Sequence, residues 1–263
     1  MKRSKLYIFD IDGTIITSEH KILASTLKGM ALIKEHDGKI MLASARPPRA
    51  IDPICDGLGL KPFYISLNGA LIIENGKIIW EQSMERKIVQ QVIDLAQKIG
   101  VSVNVYAGQD WFIRETNFWS TQEGNVVGYY GEIKDLTTVA HAHKLLLIGE
   151  VDQVIRLQHM LKEKVPQVLA ARSFPNYLEV VAAGVSKARA LEKVCDLINV
   201  SLDNVVAFGD GENDLPMLQV AGFSVAMGNA HENVKRHADF VSLSNNEDGI
   251  LLGIKETLGQ GGV

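Results

Sequence analysis

Residues 6–14 of the 263-residue chain read Leu-Tyr-Ile-Phe-Asp-Ile-Asp-Gly-Thr, and this stretch decides the fold. The apolar run Leu6–Phe9 predicts a short strand buried on both faces, as strands of a parallel sheet are. Asp10 and Asp12 follow at once. In an extended chain residues i and i+2 point to the same side, so both carboxylates are expected to face one site. A bare Asp-x-Asp also suits a simple turn, and the motif alone leaves the two interpretations about equally open.

A second acidic motif follows another predicted strand late in the chain. Residues 205–214 read Val-Val-Ala-Phe-Gly-Asp-Gly-Glu-Asn-Asp, so an apolar strand again ends in an acidic loop that contains glycine. Asn213 or Asp214 is a suitable N-cap for the following helix. Capping does not explain why Asp210, Glu212 and Asp214 crowd together. Two acidic strand ends favour a shared site for Mg²⁺, a hard cation that binds carboxylate oxygens and relieves their mutual repulsion.

Two further positions suit a phosphate group. Residues 43–46 read Ala-Ser-Ala-Arg after a third apolar run, where the Ser44 hydroxyl and successive backbone N–H groups are able to hold a phosphate oxygen. Serine is common at strand ends, so this motif is weak alone. Lys187 stands at a predicted helix start, where the helix dipole disfavours a cation. Its position indicates a phosphate or carboxylate partner, although an isolated lysine is more often solvated at the surface.

Strands and helices alternate in the two outer parts of the chain, and the Asn75-Gly76 pair between apolar runs predicts a hairpin. Repeated β-α-β units predict a doubly wound, Rossmann-like parallel α/β sheet with helices on both faces. The strands are predicted at Leu6–Phe9, Ile40–Ala43, Phe63–Leu67, Val205–Phe208, Phe223–Met227 and Phe240–Leu243. The helices are predicted at Ala24–Glu35, Ala50–Leu58, Ser186–Ile198, Asp214–Val220 and Gly249–Leu258.

The middle of the chain has a different pattern, in which paired strands are flanked by helices, and it predicts an inserted α+β domain. We expect a core domain of residues 1–81 and 184–263 and an inserted cap domain of residues 82–183. Its helices are predicted at Glu85–Lys98 and Gln153–Glu163, and its strands at Val101–Tyr106, Trp111–Arg114, Lys144–Ile148, Val168–Ser173 and Tyr177–Ala182. A polar stretch between them has no clear period, and His141 and His143 alternate as exposed residues would.

Composition limits the classes of function. Hydrophobic residues make up 46% and charged residues 22%, with a formal net charge of -4 and a pI of about 6.0. Such values speak against a nucleic-acid-binding protein, which usually carries a basic face, and against polybasic membrane attachment. Cys55 and Cys195 lie in apolar helical patterns, as buried free thiols do. Asp10 and Asp12 end the first apolar run too early for a signal peptide, so we expect a cytoplasmic protein.

The motifs at Asp10, Ser44, Lys187 and Asp210, in this order, resemble those of the haloacid-dehalogenase-like hydrolases. The match looks nearest to the Cof-type sugar-phosphate phosphatase branch, whose large cap is inserted between the second and third motifs. The resemblance covers nearly the whole core and is far more specific for the family than for a substrate. Further segments that are similar to this branch are Ser66–Ala70, Met217-Leu218, Val225–Ala230 and Ser244–Gly249.

The resemblance implies a Mg²⁺-dependent phosphoric monoester hydrolase that works through an aspartyl-phosphate. It implies that Asp10 is the nucleophile and a metal ligand, and that Asp210 completes the metal shell. Asp12 would be the general acid and base and would also bind the metal through its backbone carbonyl. These roles satisfy the needs of phosphoryl transfer, which are an in-line nucleophile, neutralised equatorial oxygens and a proton for the leaving group.

The resemblance also implies a phosphate-binding set and shows two departures. Ser44, Ala45, Asn68, Lys187 and Asn213 would bind phosphate or substrate. Asp214 would support them by orienting Lys187 or a metal-bound water. Ala45 and Ala188 stand where the branch usually has glycine. The methyl group of Ala45 is expected to narrow or tilt the phosphate pocket, while Ser44 keeps the hydroxyl that the branch commonly takes from threonine.

The partner expected from these features is a small phosphorylated molecule, such as a sugar phosphate or a phosphorylated cofactor. We expect no nucleic acid or membrane partner, and a monomer or a weak homodimer. Three rival interpretations of the sequence stay open. They are a phosphomutase or phosphotransferase with the same aspartyl-phosphate, a binding protein that retains the fold, and a phospho-accepting signalling receiver, against which the large cap argues.

Overall fold

The computed structural model describes residues 5–260, which divide into two compact units. Unit 1 comprises residues 5–45, 52–77 and 186–260, and unit 2 comprises residues 46–51 and 78–185. The segment that the sequence predicts as an insertion, 82–183, lies within unit 2. The short stretch 46–51, which follows the Ser44-Ala45 motif, also groups with unit 2, and the sequence contains no signal for that.

Strands and helices alternate along most of the chain. The first strands and helices are β1 (Leu6–Phe9), α1 (Ala24–Glu35), β2 (Lys39–Ala43), α2 (Pro48–Gly57), β3 (Phe63–Ser66), β4 (Leu71–Glu74) and β5 (Lys77–Glu81). The middle ones are β6 (Met84–Glu85), α3 (Arg86–Lys98), β7 (Ser102–Ala107), β8 (Asp110–Ile113), α4 (Phe118–Val127), β9 (Glu132–Ile133), β10 (His141–Ala142), β11 (Lys144–Ile148), α5 (Val151–Lys164), β12 (Val168–Phe174) and β13 (Tyr177–Ala182). The last are α6 (Lys187–Ile198), β14 (Val205–Gly209), α7 (Leu215–Val220), β15 (Phe223–Ala226), α8 (Glu232–Arg236), β16 (Phe240–Val241) and α9 (Gly249–Thr257).

The larger sheet has the strand order β16-β15-β14-β1-β2-β3-β4-β5, and the border between the units falls after the first residue of β5. The strands from β16 to β3 are parallel, and β4 runs antiparallel to β3. The predicted α/β class with a parallel-rich sheet is therefore confirmed. From β1 the chain builds outward through β2 and later returns to the other side of β1 with β14. The switch point of the sheet thus lies between β1 and β14, where open α/β sheets bind ligands.

The register across this switch point aligns the two acidic motifs. Phe9 is the partner of Phe208, and their rings stack with centroids 4.5 Å apart. All residues of β1 and β14 are buried, as expected for strands covered on both faces. Each strand runs directly into its acidic loop. The apolar strands therefore bring the two loops to the same edge of the sheet.

Unit 2 has a six-stranded sheet in the order β12-β13-β11-β7-β8-β9 and a two-stranded pair of β6 and β10. The neighbours are antiparallel except for β8 and β9, which are parallel. Alternate residues of β7 and β11, such as Val105 and Leu145, pack with α3 and α5 into one hydrophobic core. This arrangement agrees with the predicted α+β pattern of paired strands and helices.

Two features of unit 2 differ from the predictions. The polar stretch without a period contains α4, which begins at a capping box between Asn117 and Ser120 and ends at Gly128 in the left-handed conformation. Its apolar residues lie on both exposed and buried sides, so no amphipathic period is visible. The expectation that His143 is exposed is wrong, because its side chain is fully buried and contacts Glu81 and the N–H of Gly108.

Smaller differences concern unit 1. The last strand covers only Phe240–Val241 rather than Phe240–Leu243.

Cys55 and Cys195 are free and buried, as predicted. Among the helices of residues 5–260, none combines the length and the apolar character that crossing a bilayer requires.

Candidate active site

Three acidic side chains meet at the carboxyl ends of β1 and β14. One oxygen from each of Asp10, Asp210 and Asp214 lies within 4.8 Å of one from each of the others. The backbone N–H of Asp10 donates to Phe208 O (3.0 Å), so the ladder between the two strands continues to the first aspartate. Asp10 is only 5% exposed. The geometry therefore brings together the first and last acidic motifs, as the sequence predicts.

Asp210 is held in place by the loop that follows β1. Thr14 Oγ1 donates to Asp210 Oδ1 (3.2 Å). Gly13 has a positive φ of 82°, and a Cβ at that position would lie 2.2 Å from Asp210 Oδ2. Only glycine permits both the backbone conformation and this close approach. The position of the Asp210 carboxylate therefore requires glycine at position 13. The contact of Thr14 with Asp210 was not predicted.

Lys187 is the cation of the site. It is 1% exposed, and its Nζ lies 2.5 Å from Asp10 Oδ1 and 2.6 Å from Asp214 Oδ1. Burial alone would lower the pKa of Lys187, but the charges of Asp10 and Asp214 outweigh burial and raise that pKa above its ordinary value. The interpretation of Lys187 as a solvated surface lysine is excluded by its burial. It is a charged group aimed at the first aspartate.

Asp214 holds the second acidic loop and Lys187 in place through hydrogen bonds. Its Oδ2 accepts hydrogen bonds from the backbone N–H of Asp210 (3.0 Å) and of Gly211 (2.9 Å), while its Oδ1 accepts from Lys187. Both oxygens are therefore engaged by protein donors. Although Asp214 stands close enough to Asp10 and Asp210 for a shared cation, its contacts fit an orienting role better than a ligand role.

The charge balance of the site favours a divalent cation. Burial, with the charge of Asp214, raises the pKa of Asp10 well above its ordinary value, although Lys187 opposes this. Burial and Asp214 also raise the pKa of Asp210 to about 6, although the hydrogen bond from Thr14 lowers it. Both pKa values are raised first by burial and then by the negative charge of Asp214, and Lys187 opposes both shifts without cancelling them. Oxygen donors of this kind fit Mg²⁺, which the carboxylates of Asp10 and Asp210 would hold.

Three of the predicted phosphate-binding residues, Ser44, Asn68 and Asn213, are joined by hydrogen bonds. The side chain of Ser44 is buried, and its carbonyl accepts from the backbone N–H of Asn68 (3.0 Å). Asn68 has a positive φ of 59°, and its Oδ1 accepts from Asn213 Nδ2 (3.2 Å). A Cβ on the next residue, Gly69, would lie 2.2 Å from Ser186 O, directly before Lys187. Of the other two predicted residues, Lys187 follows Ser186, against which Gly69 packs, and Ala45 adjoins Ser44 in sequence.

Asp12 is a neighbour of the buried acidic cluster rather than one of its three members. It is exposed, and its backbone forms an isolated parallel bridge with Ile16. Its side chain is not among the three that converge on a common point. The exposed position of Asp12 suits a group that exchanges protons with a substrate, because such a group needs access to the leaving oxygen and to water. The roles predicted for Asp12, in proton transfer and as a backbone ligand, remain predictions.

Asn229 and Asn245 complete the site and were not identified from the sequence. Asn229 Nδ2 donates to Gly13 O (2.9 Å) and to Asp210 Oδ2 (3.2 Å). The backbone N–H of Asn245 donates to Asn229 Oδ1 (2.9 Å), and Asn245 Nδ2 donates to Ile16 O (2.8 Å). Both residues lie in segments that resemble the family. The resemblance carried no role for them, and their contacts join residues far apart in sequence.

Comparisons with known proteins agree with this site. The sequence pattern of the family described as haloacid dehalogenase-like hydrolase matches residues 7–254. A relative from Haemophilus influenzae is 33% identical over 255 residues, which cover 96% of this chain and 97% of that protein. A 5-amino-6-(5-phospho-D-ribitylamino)uracil phosphatase from Bacillus subtilis is 29% identical over 257 residues, covering 95% and 94%.

A solved structure leads to the same result. The crystal structure of a haloacid dehalogenase-like hydrolase from Bacteroides thetaiotaomicron superposes with a TM-score of 0.89 at 29% identity, and the match covers 97% of this chain and all of that one. The family resemblance of the motifs is therefore confirmed across sequence and fold.

Proposed function

The chain belongs to the haloacid dehalogenase-like hydrolases, and we propose that it is a Mg²⁺-dependent phosphatase that hydrolyses small phosphate monoesters through an aspartyl-phosphate on Asp10. The predicted enzyme class, a phosphoric monoester hydrolase, agrees with the phosphatase names of relatives. The observation that carries the proposal is the position of Asp10. It is a buried carboxylate at the switch point of the sheet, paired with a buried lysine and crowded by further carboxylates.

The first chemical step transfers the phosphoryl group to the enzyme. A carboxylate oxygen of Asp10 attacks the phosphorus in line with the ester oxygen, so that a new O–P bond forms as the ester O–P bond breaks. Asp12 gives its proton to the departing ester oxygen. In the second step a water molecule attacks the same phosphorus and gives a proton to Asp12. Inorganic phosphate leaves, and the carboxylate of Asp10 is restored.

Charge neutralisation makes both steps feasible. When Mg²⁺ is bound, it neutralises part of the charge on the phosphoryl oxygens and allows Asp10 to approach an anionic group. Lys187 supplies a fixed positive charge 2.5 Å from Asp10 Oδ1, and Asp214 keeps it there. We propose that Ser44, Asn68 and Asn213 donate hydrogen bonds to phosphate oxygens, with Ala45 forming part of the pocket wall. Fixed donors of this kind cost no reorganisation during the reaction.

We propose that the inserted unit selects the substrate and excludes water during the reaction. The support is its separate fold and its insertion between the second and third motifs. The Bacillus subtilis relative carries a name for a phosphorylated ribitylamino compound, and this supports a small phosphorylated metabolite as the substrate class here. A cytoplasmic location and a monomeric or weakly dimeric state remain predictions.

A chelation experiment tests the proposed reaction. Hydrolysis of an aryl phosphate should require added Mg²⁺ and stop with excess chelator, because the clustered carboxylates need a cation to coexist.

Asp10→Asn should lower kcat by at least ~10³-fold, as expected when a covalent nucleophile is removed. Asp203→Asn is the matched control, because Asp203 is exposed and precedes β14 at the opposite end of that strand. Full activity of metal-stripped wild type would contradict the proposal.

A second experiment tests the role of the inserted unit. Replacing residues 82–183 by a short Gly/Ser linker should leave a core that folds but loses discrimination among phosphorylated substrates. The measurement is kcat/KM across a panel of phosphorylated metabolites. An unchanged substrate ranking in the shortened protein would show that specificity lies in the core.

A further inference from the structure

We infer that Asn229 is a positioning residue for the metal site, because its side chain fixes the carboxylate of Asp210 and ties together the loops that follow β1, β14 and β16. Asn229 itself lies in the loop after β15, three residues beyond the end of that strand. The inference rests on the proposed function, since it assigns Asp210 as a ligand of Mg²⁺. It concerns a residue to which neither the motifs nor the comparisons assign a role.

The contacts of the Asn229 amide fix its orientation. Nδ2 donates to Gly13 O at 2.9 Å and to Asp210 Oδ2 at 3.2 Å, while Oδ1 accepts the backbone N–H of Asn245 at 2.9 Å. A flipped amide would set its oxygen against two acceptors and its nitrogen against a donor. Only one of the two amide orientations therefore satisfies all three contacts. The side chain is a directed donor toward the carboxylate.

The two oxygens of Asp210 are held from two sides. Thr14 donates to Oδ1 and Asn229 donates to Oδ2. Gly13 lies against the same carboxylate and leaves no space for a side chain. Hydrogen bonds to a ligating carboxylate orient it, and their loss typically lowers metal affinity by roughly 10–100-fold. Asn229 holds this carboxylate without adding another negative charge to an acidic cluster, which an aspartate at the same position would do.

Because Asn229 is exposed, its truncation tests its hydrogen bonds to Asp210 and Gly13 and hardly changes the packing of the core. Its side chain is exposed, so truncation leaves no buried cavity and removes little apolar contact. Asn245, by contrast, is buried and anchored to Ile16 O, and it keeps its backbone donor in place without Asn229. Truncation of Asn229 should therefore affect the orientation of Asp210 much more than it affects the stability of the fold.

The test is Mg²⁺ binding to the metal-stripped full chain, measured by isothermal titration calorimetry. Asn229→Ala should raise the Kd for Mg²⁺ by about tenfold. Asn233→Ala is the matched control, because Asn233 is a nearby asparagine whose Nδ2 donates to the Glu212 carboxylate at 3.0 and 3.2 Å, outside the buried acidic cluster. Its Kd should equal that of wild type. The Mg²⁺ concentration for half-maximal aryl phosphate hydrolysis should shift by the same factor as the Kd.

The two decisive measurements are the Kd for Mg²⁺ and the melting temperature of the metal-free protein. Weaker Mg²⁺ binding in Asn229→Ala, with a metal-free melting temperature equal to that of Asn233→Ala, supports it. An unchanged Kd, or a lowered melting temperature with unchanged affinity, overturns it and leaves the proposed function intact. Failure of the proposed function is recognised separately, because wild type would then hydrolyse the aryl phosphate at full rate in excess chelator.

Discussion

Lys187 Nζ lies 2.6 Å from Asp214 Oδ1, in a pair whose two side chains are almost completely buried. The same ammonium group lies 2.5 Å from Asp10, and the second oxygen of Asp214 accepts two backbone N–H groups of its own loop. Asp214 thus couples the position of the lysine to the shape of the loop that carries Asp210. The positive charge beside Asp10, the proposed nucleophile, is therefore held in place by Asp214, which needs no contact with substrate to do so.

Removing the Lys187 charge should damage both activity and stability. Lys187→Met leaves Asp10 and Asp214 buried without their cation, and breaking a buried ion pair costs about 3–5 kcal/mol of unfolding free energy. Loss of a fixed charge beside the phosphoryl group should lower kcat by about 10²–10³-fold. Urea unfolding in metal-free buffer and steady-state kinetics are the measurements.

The matched control for this prediction is an exposed lysine. Lys21 pairs with Glu19 at 2.7 Å on the surface, and Lys21→Met should change the unfolding free energy by less than about 1 kcal/mol. A Lys187→Met protein that kept more than a tenth of wild-type kcat would contradict the role assigned to Lys187.

Substitution of Gly13 should disturb the metal site beyond the backbone cost. Gly13→Ala places a methyl group 2.2 Å from Asp210 Oδ2 at a φ of 82°, whereas Gly76→Ala, at a φ of 76°, meets nothing within 4 Å. Both variants carry a similar backbone strain of about 1 kcal/mol. Gly13→Ala should in addition weaken Mg²⁺ binding, as calorimetry would show. Equal Mg²⁺ affinities in the two variants would mean that the contact with Asp210 does not matter.

His143 should make the stability of the protein depend on pH. Its Nδ1 accepts the N–H of Gly108 (2.9 Å), so the ring is neutral with its proton on Nε2, which donates to Glu81 (3.1 Å). Burial lowers the pKa of His143 below 6.5, against the opposing effects of Glu81. The unfolded chain therefore binds the proton more readily, and stability should fall as the pH drops below about 6.5.

Urea unfolding at about pH 5, 6 and 7 checks this pH effect, which amounts to at most about 1.4 kcal/mol per pH unit for one group. His143→Gln should show a flatter dependence of the unfolding free energy on pH than wild type. His159→Gln, which changes an exposed histidine of α5, is the control and should retain the wild-type slope. The same slope in all three proteins would contradict the assignment.

The sequence predicts well those elements whose structure follows from the local pattern of apolar residues alone. Leu6–Phe9 and Lys144–Ile148 match their predicted strands because short, fully apolar runs have few other structures available. Helix α4 escaped prediction because its ends depend on single capping residues, Asn117 and Gly128, rather than on an apolar period. Burial of His143 was missed because alternation in the sequence does not show which side of the chain other elements cover.

In the candidate active site, too, some features were predictable from the local sequence and others were not. Asp10 and Asp210 follow strands whose order could be inferred from β-α-β alternation, so their convergence was predictable. The burial of Lys187 was not, because a lysine at a helix start looks the same in sequence whether solvent or carboxylates surround it. Asn229 acts through contacts with Gly13 and Asp210 that span 216 and 19 positions of the chain. A local sequence pattern cannot predict contacts between residues this far apart in the chain.

Trapping of the phosphorylated enzyme tests the proposed reaction most directly. Asp12→Ala removes the group proposed to activate water, while a good leaving group such as nitrophenolate departs without protonation. Mixing this variant with the aryl phosphate and Mg²⁺, quenching in acid and measuring the intact and peptide masses should reveal one phosphoryl group on the peptide that contains Asp10. A phosphoryl group on any other residue, or none on the variant while wild type still turns over, would contradict an aspartyl-phosphate on Asp10 that Asp12 resolves.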